Sequence, residues 1–252
     1  MKDGSLIPRF GRARRDPALA VLEGFHALKH ALRFGAELEL VVTRDCTALE
    51  RLAGRLAPDL RGTMSALAHE VDVELFEQLA PMTPTTGVIG LARRPARDLR
   101  AALDAVARPA PVVLLENPRD LGNVGACVRV GAGADAGAVL STGGHDPWHP
   151  DALRGAAGLH FALPVVRLQS LGELDGCTRP LLALDPEGEP LRPSTLDPRA
   201  VLAFGTERDG VSDELLARAD ARLSIPMREG VSSLNLATSV AAVLFAWRLA
   251  GS

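Results

Sequence analysis

The sequence predicts an α/β protein: a small N-terminal α/β module, then a larger domain on a mostly parallel sheet with helices on both faces. Three observations carry that prediction. From residue 111 onward, continuous apolar runs of strand length (PVVLLE, AGAVLS, LLALD, VLAFG) alternate with stretches of helical pattern, and strands buried on both faces belong to parallel sheets. A looser alternation of the same kind runs to about residue 92. Between them lies RRPARDLRAALDAVARPAP, polar, bracketed by proline and rich in arginine, which reads as a linker with a helical turn or two. The expected division is residues 1–92, 93–110 and 111–252.

In order along the chain, ALAVLEGFHALKHALRFG places Leu19, Leu22, Phe25 or His26, and Leu28 or Lys29 at helical spacing and stops at Gly35, predicting one helix. ELELVVT follows as a strand, residues 45–56 as a helix, VDVELFEQLA as a short helix and TGVIGLA as a buried strand. In the second part PVVLLE is a strand, NVGACVRVGAGA a helix of small residues and AGAVLS a strand. A helix over 148–158, strands at FALPVV, LLALD and VLAFG, a helix at SDELLARA and a strand at ARLSIP lead to the last helix, SLNLATSVAAVLFAWRLA.

At 252 residues, with 47% hydrophobic and 23% charged, the chain can bury one large core or two smaller ones. The net charge of −3 argues, taken whole, against a dedicated nucleic-acid binder. Its distribution argues otherwise. Residues 1–108 carry 16 basic and 14 acidic side chains, and residues 109–252 carry 12 and 17. Arg9, Arg12, Arg14 and Arg15 follow one another with no acid among them and make a candidate phosphate-contacting cluster, although 26 of the 28 basic residues are arginine and such a bias can reflect genome composition alone. The absence of tyrosine and the 4% aromatic content count against base stacking on an aromatic sheet face. Cys46, Cys127 and Cys177 are too few and too scattered for a disulfide framework or a paired-cysteine zinc site, which points to the cytoplasm. No apolar stretch suits a signal peptide or a membrane span.

In open parallel sheets ligands bind beyond the carboxyl ends of the strands, so the text after PVVLLE, VLAFG and ARLSIP carries the functional expectation. These loops hold Asn123, Gly125 and Arg129; Gly205, Thr206, Glu207, Gly210 and Ser212; and Ile225, Pro226, Met227, Ser233, Leu234 and Asn235. Each has a purely structural reading: Asn123 as a cap, the glycines as turn formers, Ser212 as an N-cap with Asp213 and Glu214 in the first turn, and Ser232 or Ser233 as the cap of the last helix. Three such loops on one edge of one sheet are better explained as a ligand cleft.

The three loops resemble the motifs of the SpoU/TrmH family of RNA ribose methyltransferases, part of the SPOUT superfamily: N-x-G followed by arginine, G-[ST]-E-x-x-G-x-[ST], and I-P-M followed by S-L-N. RGAAGLHFALPVV also resembles a family segment, with Ala156 where serine is common, and Val130 replaces a frequent threonine. The likeness covers residues 111–249 and extends more loosely to LEGFHALKHAL. It implies a C-terminal SPOUT domain with a deep trefoil knot, a small N-terminal substrate-binding domain, and methyl transfer from S-adenosyl-L-methionine to a ribose 2′-hydroxyl of structured RNA, ribosomal RNA ahead of transfer RNA. It places Arg129, Asn123, Glu207, Ser233 and Asn235 at the chemistry. The cofactor falls against Gly205, Thr206, Glu207, Gly210, Ile225, Met227, Ser233, Leu234 and Asn235, and RNA against Arg129; charge clustering, not the resemblance, adds Arg9, Arg12, Arg14 and Arg15 to the expected RNA contacts. It also implies a homodimer, with no membrane and no metal involved. The face of the last helix bearing Leu234, Ala237, Ala241, Leu244 and Arg248 serves either as the interface or as core.

Three rivals compete. Gly131-x-Gly133-x-x-Ala136 matches a dinucleotide fingerprint, but it closes a helical stretch instead of following a strand. His26 and His30 lack a third metal ligand, and Pro147 interrupts His145 and His149. A non-catalytic RNA-binding protein on the same fold would keep the loops without turnover.

Overall fold

The computed structural model describes residues 5–104, 109–206 and 209–251. The chain divides into two compact units: Met1–Ala96 with Trp148–Ala162, and Arg97–Pro147 with Leu163–Ser252.

The first unit holds α1 (Leu6–Ala13), β1 (Leu19–Glu23), α2 (Phe25–Arg33), β2 (Leu38–Thr43), α3 (Cys46–Leu56), α4 (Arg61–Leu67), β3 (Ala68–Glu70), α5 (Val73–Glu77) and β4 (Val88–Arg93). Its sheet runs β1-β4-β2-β3, with β4 antiparallel to both neighbours and β3 parallel to β2. Phe10, Val21, Val42, Phe76, Ile89 and Leu91 form its core. The single helix expected over residues 18–35 is corrected: Leu19–Glu23 is a strand paired with β4, and only Phe25–Arg33 is helical. Gly24, at φ 104°, makes the break, and the four residues from Ala20 to Glu23 are all buried, which suits a strand with both faces covered. Helical spacing and a short buried strand gave the same periodic signal across Gly24. The helices α1 and α4 and the edge strand β3 had no sequence signal strong enough to predict them.

The second unit holds α6 (Leu99–Leu103), β5 (Val112–Leu115), α7 (Leu121–Ala134), β6 (Ala138–Ser141), β7 (Val165–Arg167), β8 (Leu181–Pro190), β9 (Val201–Phe204), α9 (Asp213–Arg218), β10 (Ala221–Ser224) and α10 (Leu236–Ala250); α8 (Pro150–Gly155) belongs to the first unit. Its strands lie in the order β10-β8-β9-β5-β6-β7, and every neighbouring pair is parallel. All four residues of the central β5 are fully buried, each worth about 1.5–3 kcal/mol of apolar burial. Gly131 and Gly133 sit in the last turns of α7, ahead of β6, so the dinucleotide fingerprint lacks the strand-to-helix context it needs.

The expected boundaries move in two places. Residues 97–104 join the second unit: Arg100 donates to the Asp175 carbonyl at 2.8 Å, and the buried Arg179 donates to the carbonyls of Leu103, Ala110 (3.0 Å) and Arg199 (2.9 Å). Burial among carbonyls holds the Arg179 guanidinium below its usual pKa. Residues 148–162 join the first unit. Arg154 pairs with the buried Glu23 at 2.5 Å, His30 Nδ1 bonds the Ala157 carbonyl at 2.7 Å, and Arg94 lies 5.8 Å over the Trp148 ring. Ala156 is fully buried there. The strand expected at FALPVV shortens to Val165–Arg167 behind a 3₁₀ turn at Leu159–Phe161. Among the described residues no helix is long and apolar enough to cross a membrane.

Candidate functional site at the carboxyl edge of the parallel sheet

Because every pair in the second sheet is parallel, the segments leaving β5, β8, β9 and β10 emerge on one edge. The loop after β5 is held by Asn117, at φ 45°, whose N–H donates to Thr142 Oγ1 at 2.9 Å. Asp120, not Asn123, caps α7 by accepting the Asn123 N–H at 2.6 Å. The Asn123 side chain instead reaches across to the third loop, where its Oδ1 accepts from Asn235 Nδ2 at 3.0 Å. Asn235 also caps α10 through Oδ1, taking the N–H groups of Ala237 (3.0 Å) and Thr238 (3.3 Å), a role the sequence had offered to Ser232 or Ser233. One asparagine thus starts the last helix and ties it to the first loop.

The loop after β9 is closed on itself. Thr206 and Gly210 exchange backbone hydrogen bonds at 2.9 and 3.1 Å, and a Cβ on Gly205 would lie 2.0 Å from the Gly210 carbonyl group. Gly210 itself takes φ 68°, a region that favours glycine. Ser212 caps α9 as expected, accepting the Leu215 N–H at 3.2 Å. Its N–H and Oγ also donate to the two carboxylate oxygens of Glu116 at 2.8 and 2.5 Å, fastening this loop to the end of β5. Arg119 and Asp209 add an exposed ion pair at 3.2 Å. Glu207 lies outside the described residues.

The far half of β8 and the loops after β9 and β10 surround a cleft that is open to solvent. Gly205, Thr206, Gly210, Ile225, Met227, Ser233 and Leu234, all in the expected cofactor set, line it, whereas Asn235 of that set does not. So do Leu184, Asp185 and Pro186 at the end of the buried part of β8, and Phe204, Leu223 and Leu236, which sequence reasoning missed. The run LLALD reads as a strand of the parallel sheet, so DPEG at its carboxyl end falls on the same edge, and that placement is the signal that marks these residues. Arg129 is exposed on α7, six residues and about 9 Å along the axis from Asn123.

The N-terminal arginines separate into different roles. Arg14 is turned inward: it pairs with the buried carboxylate of Glu23 at 2.7 Å and donates to the Leu79 carbonyl at 2.7 Å. That contact gives Arg14 a role within the fold. Arg9 pairs with Glu39 at 3.4 Å, while Arg12 and Arg15 are exposed.

A wholly parallel sheet with a cleft at its carboxyl edge, built from tight polar loops and no glycine-rich strand-to-helix turn, defines a ligand-binding α/β domain outside the dinucleotide-binding class. The profile of the SpoU rRNA Methylase family matches residues 110–245, and the chain belongs to that family. It is 34% identical over 147 residues to the 23S rRNA (guanosine(2553)-2′-O)-methyltransferase RlmP of Bacillus subtilis (strain 168), covering 56% of this chain and 58% of that protein. It is 29% identical over 144 residues to the 23S rRNA (uridine(2479)-2′-O)-methyltransferase of Streptomyces viridochromogenes, covering 53% and 50%. The chain spans about half the length of these curated relatives. Among solved structures, an RNA 2′-O ribose methyltransferase superposes with a TM-score of 0.73 at 28% identity over 96% of both chains. The SpoU methyltransferase AviRb from Streptomyces viridochromogenes, in complex with AdoMet, shares the fold with a TM-score of 0.76 at 22% identity, over 96% of this chain and 97% of that one.

Proposed function

We propose that the protein is an S-adenosylmethionine-dependent RNA 2′-O-methyltransferase acting on structured RNA, with ribosomal RNA the preferred class. The observation that carries this reading is the Asn235–Asn123 hydrogen bond, which joins the first and third motif loops beside the cleft formed with the second. The cleft fits the cofactor: apolar walls from Leu184, Phe204, Leu223, Ile225 and Leu236 suit a purine, and Thr206, Gly210 and Ser233 offer polar groups. Gly205, Thr206, Gly210, Ile225, Met227, Ser233, Leu234 and Asn235 hold it. When bound, it supplies a methyl group activated on a sulfonium.

An alcohol is a weak nucleophile at neutral pH, so the protein's part is alignment and stabilisation of developing negative charge. Asn123 and Asn235 orient the ribose, and Ser233 holds the hydroxyl or the adjacent phosphate. Arg129, exposed and without a hydrogen bond or ion pair among the described residues, is available to a phosphate and to the developing alkoxide. A guanidinium keeps its proton at neutral pH, so positioning and charge support suit it better than base catalysis. Glu207 completes the expected set by fixing the second loop. Exposed Arg12 and Arg15, with Arg9, supply phosphate contacts from the N-terminal substrate-binding unit. The trefoil knot through the loops after β9 and β10 belongs to the same reading.

A homodimer is part of the proposal. The helices α7 and α10 pack side by side, Arg248 reaching Ala134 and Asp135 at the end of α7, and α10 carries apolar residues on all its faces. Such a helix needs cover on both sides. Part of the face proposed from sequence is taken up internally, with Leu244 buried and Arg248 bonded to α7, while Leu234 lies ahead of α10 and lines the cleft. The outward stripe is Ala242, Phe245 and Leu249, the last two 40% and 73% exposed. Cys46, Cys127 and Cys177 form no disulfide among the described residues, which accords with work in the cytoplasm.

Incubation with labelled S-adenosylmethionine and total RNA tests the activity. Label transfer by the wild type, lost in Arg129→Ala with cofactor binding retained, is expected. Cofactor binding without any transfer would instead make the protein an RNA-binding module, and no cofactor binding would overturn the proposal.

A further inference from the structure

Among the described residues lining the cleft, Asp185 alone carries a formal charge. It ends the run LLALD on β8, a strand none of the three motifs includes. One carboxylate oxygen, Oδ1, is fixed by the Glu187 N–H at 2.7 Å, which sets the side chain's orientation and leaves Oδ2 and a second lone pair on Oδ1 as acceptors. A carboxylate among apolar walls needs donors when a ligand displaces its water. Two adjacent hydroxyls meet a carboxylate's two oxygens well.

The sheet order decides which part of the cofactor those donors belong to. Asn123 follows β5, and β8 is separated from β5 by β9, two strand spacings or about 10 Å. The reacting methyl must face Asn123, Asn235 and Ser233, so its sulfonium lies toward the β5 side and the nucleoside toward β8. We infer that Asp185 is a cofactor-binding residue that accepts hydrogen bonds from the ribose 2′- and 3′-hydroxyls of S-adenosylmethionine. This rests on the methyltransferase reading and adds the β8 end as a further wall of its cofactor site. The device has a physical parallel in dinucleotide-binding folds, where an acidic side chain takes the ribose hydroxyl, but here it stands on a different strand and without the glycine fingerprint.

The test is calorimetric and needs no turnover. S-adenosylhomocysteine and its 2′-deoxy and 3′-deoxy analogues are titrated into the wild type and Asp185→Asn; asparagine can still accept the Glu187 N–H, so the local turn is kept. The expected result is a loss of about 10- to 100-fold for S-adenosylhomocysteine in the variant, the range for hydrogen bonds to a charged group. The deoxy analogues should bind the wild type weakly and lose little more in the variant. Equal loss for all three ligands would overturn the assignment, making Asp185 a purely structural group. A larger loss for S-adenosylmethionine than for S-adenosylhomocysteine would overturn it in favour of the sulfonium charge. Unchanged binding would remove Asp185 from the site while leaving the methyltransferase reading intact. Wild-type protein that binds neither cofactor form would overturn both.

Discussion

Asn235 donates from Nδ2 to Asn123 Oδ1 at 3.0 Å while its own Oδ1 caps α10, so a single side chain serves both helix initiation and the junction of two motif loops. Aspartate separates those duties. Asn235→Asp keeps the cap, which a negative charge at a helix N-terminus favours, but loses the donor and sets a carboxylate against an acceptor. Its stability should stay within about 1 kcal/mol of the wild type while methyl transfer falls by at least tenfold. Asn235→Ala should lose both, with about 1–2 kcal/mol of stability gone with the cap. Thermal unfolding beside a labelled-methyl assay checks this; equal activity in the two wild-type-like folds would show that the bridge is dispensable.

The second loop predicts a contrast between two glycines. Alanine at Gly205 would put Cβ 2.0 Å from the Gly210 carbonyl group, forcing open the loop closed by Thr206 and Gly210. At Gly210, φ 68° penalises a side chain by about 1–2 kcal/mol, but nothing lies within 4 Å of the added carbon. Gly205→Ala should therefore abolish cofactor binding, whereas Gly210→Asn should bind within about tenfold of the wild type. Calorimetric titration with S-adenosylhomocysteine distinguishes them.

The parallel sheet and its cleft were legible because β5, β6 and β9 are buried on both faces and leave unbroken apolar runs, and because Gly205 and Ser212 must occupy their special positions for local reasons. The first unit was harder. Leu19–Glu23 and Phe25–Arg33 blur into one apparent helix because the apolar run Leu19–Leu22 before Gly24 supplies apolar side chains at helical as well as strand spacing. The reassignment of residues 148–162 was not legible at all, since it depends on Glu23 meeting both Arg14 and Arg154, a pairing across 131 positions that no periodicity records. Charge clustering likewise grouped Arg14 with Arg12 and Arg15, although Arg14 faces inward.

That difference among the arginines is measurable. Glu23 has a side chain 1% exposed, and removing Arg14 leaves it only Arg154; Arg14→Ala should cost about 2–3 kcal/mol, below the loss expected when a buried charge is left with no partner. Arg12→Ala with Arg15→Ala should leave unfolding nearly unchanged. If both contact phosphates, the paired variant should weaken RNA binding and lower the slope of log affinity against log salt by about 2. A destabilised double variant, or an unmoved salt slope, would count against the phosphate role.

His30 gives the first unit a pH dependence. Burial, with smaller contributions from nearby Lys29, His26 and Arg33, holds its pKa below the ordinary histidine value of 6.5 despite the opposing bond to the Ala157 carbonyl. The unfolded chain takes up a proton near 6.5 and the folded chain only at lower pH, so between the two the unfolded state binds more protons and stability falls as pH falls. The contribution is fully present above 6.5 and gone below the depressed folded value. His30→Asn, able to donate to the same carbonyl, should flatten that part of the stability curve in denaturant titrations across pH 5 to 7.

The outward stripe of α10 makes the assembly testable. Phe245 and Leu249 lie one turn apart on a helix whose other faces are already packed, and an exposed pair of large apolar side chains on such a helix favours cover by a second copy. A charged residue at Phe245 would be buried without a partner in that dimer and solvated in the monomer, so Phe245→Glu should shift the equilibrium toward monomer while leaving the far-ultraviolet spectrum unchanged. Leu249, more exposed and nearer the helix end, should tolerate Leu249→Glu with a smaller shift. Light scattering at micromolar concentration reads both. A wild type that is monomeric there removes the homodimer from the proposal, and a dimer indifferent to both substitutions moves the interface to another face.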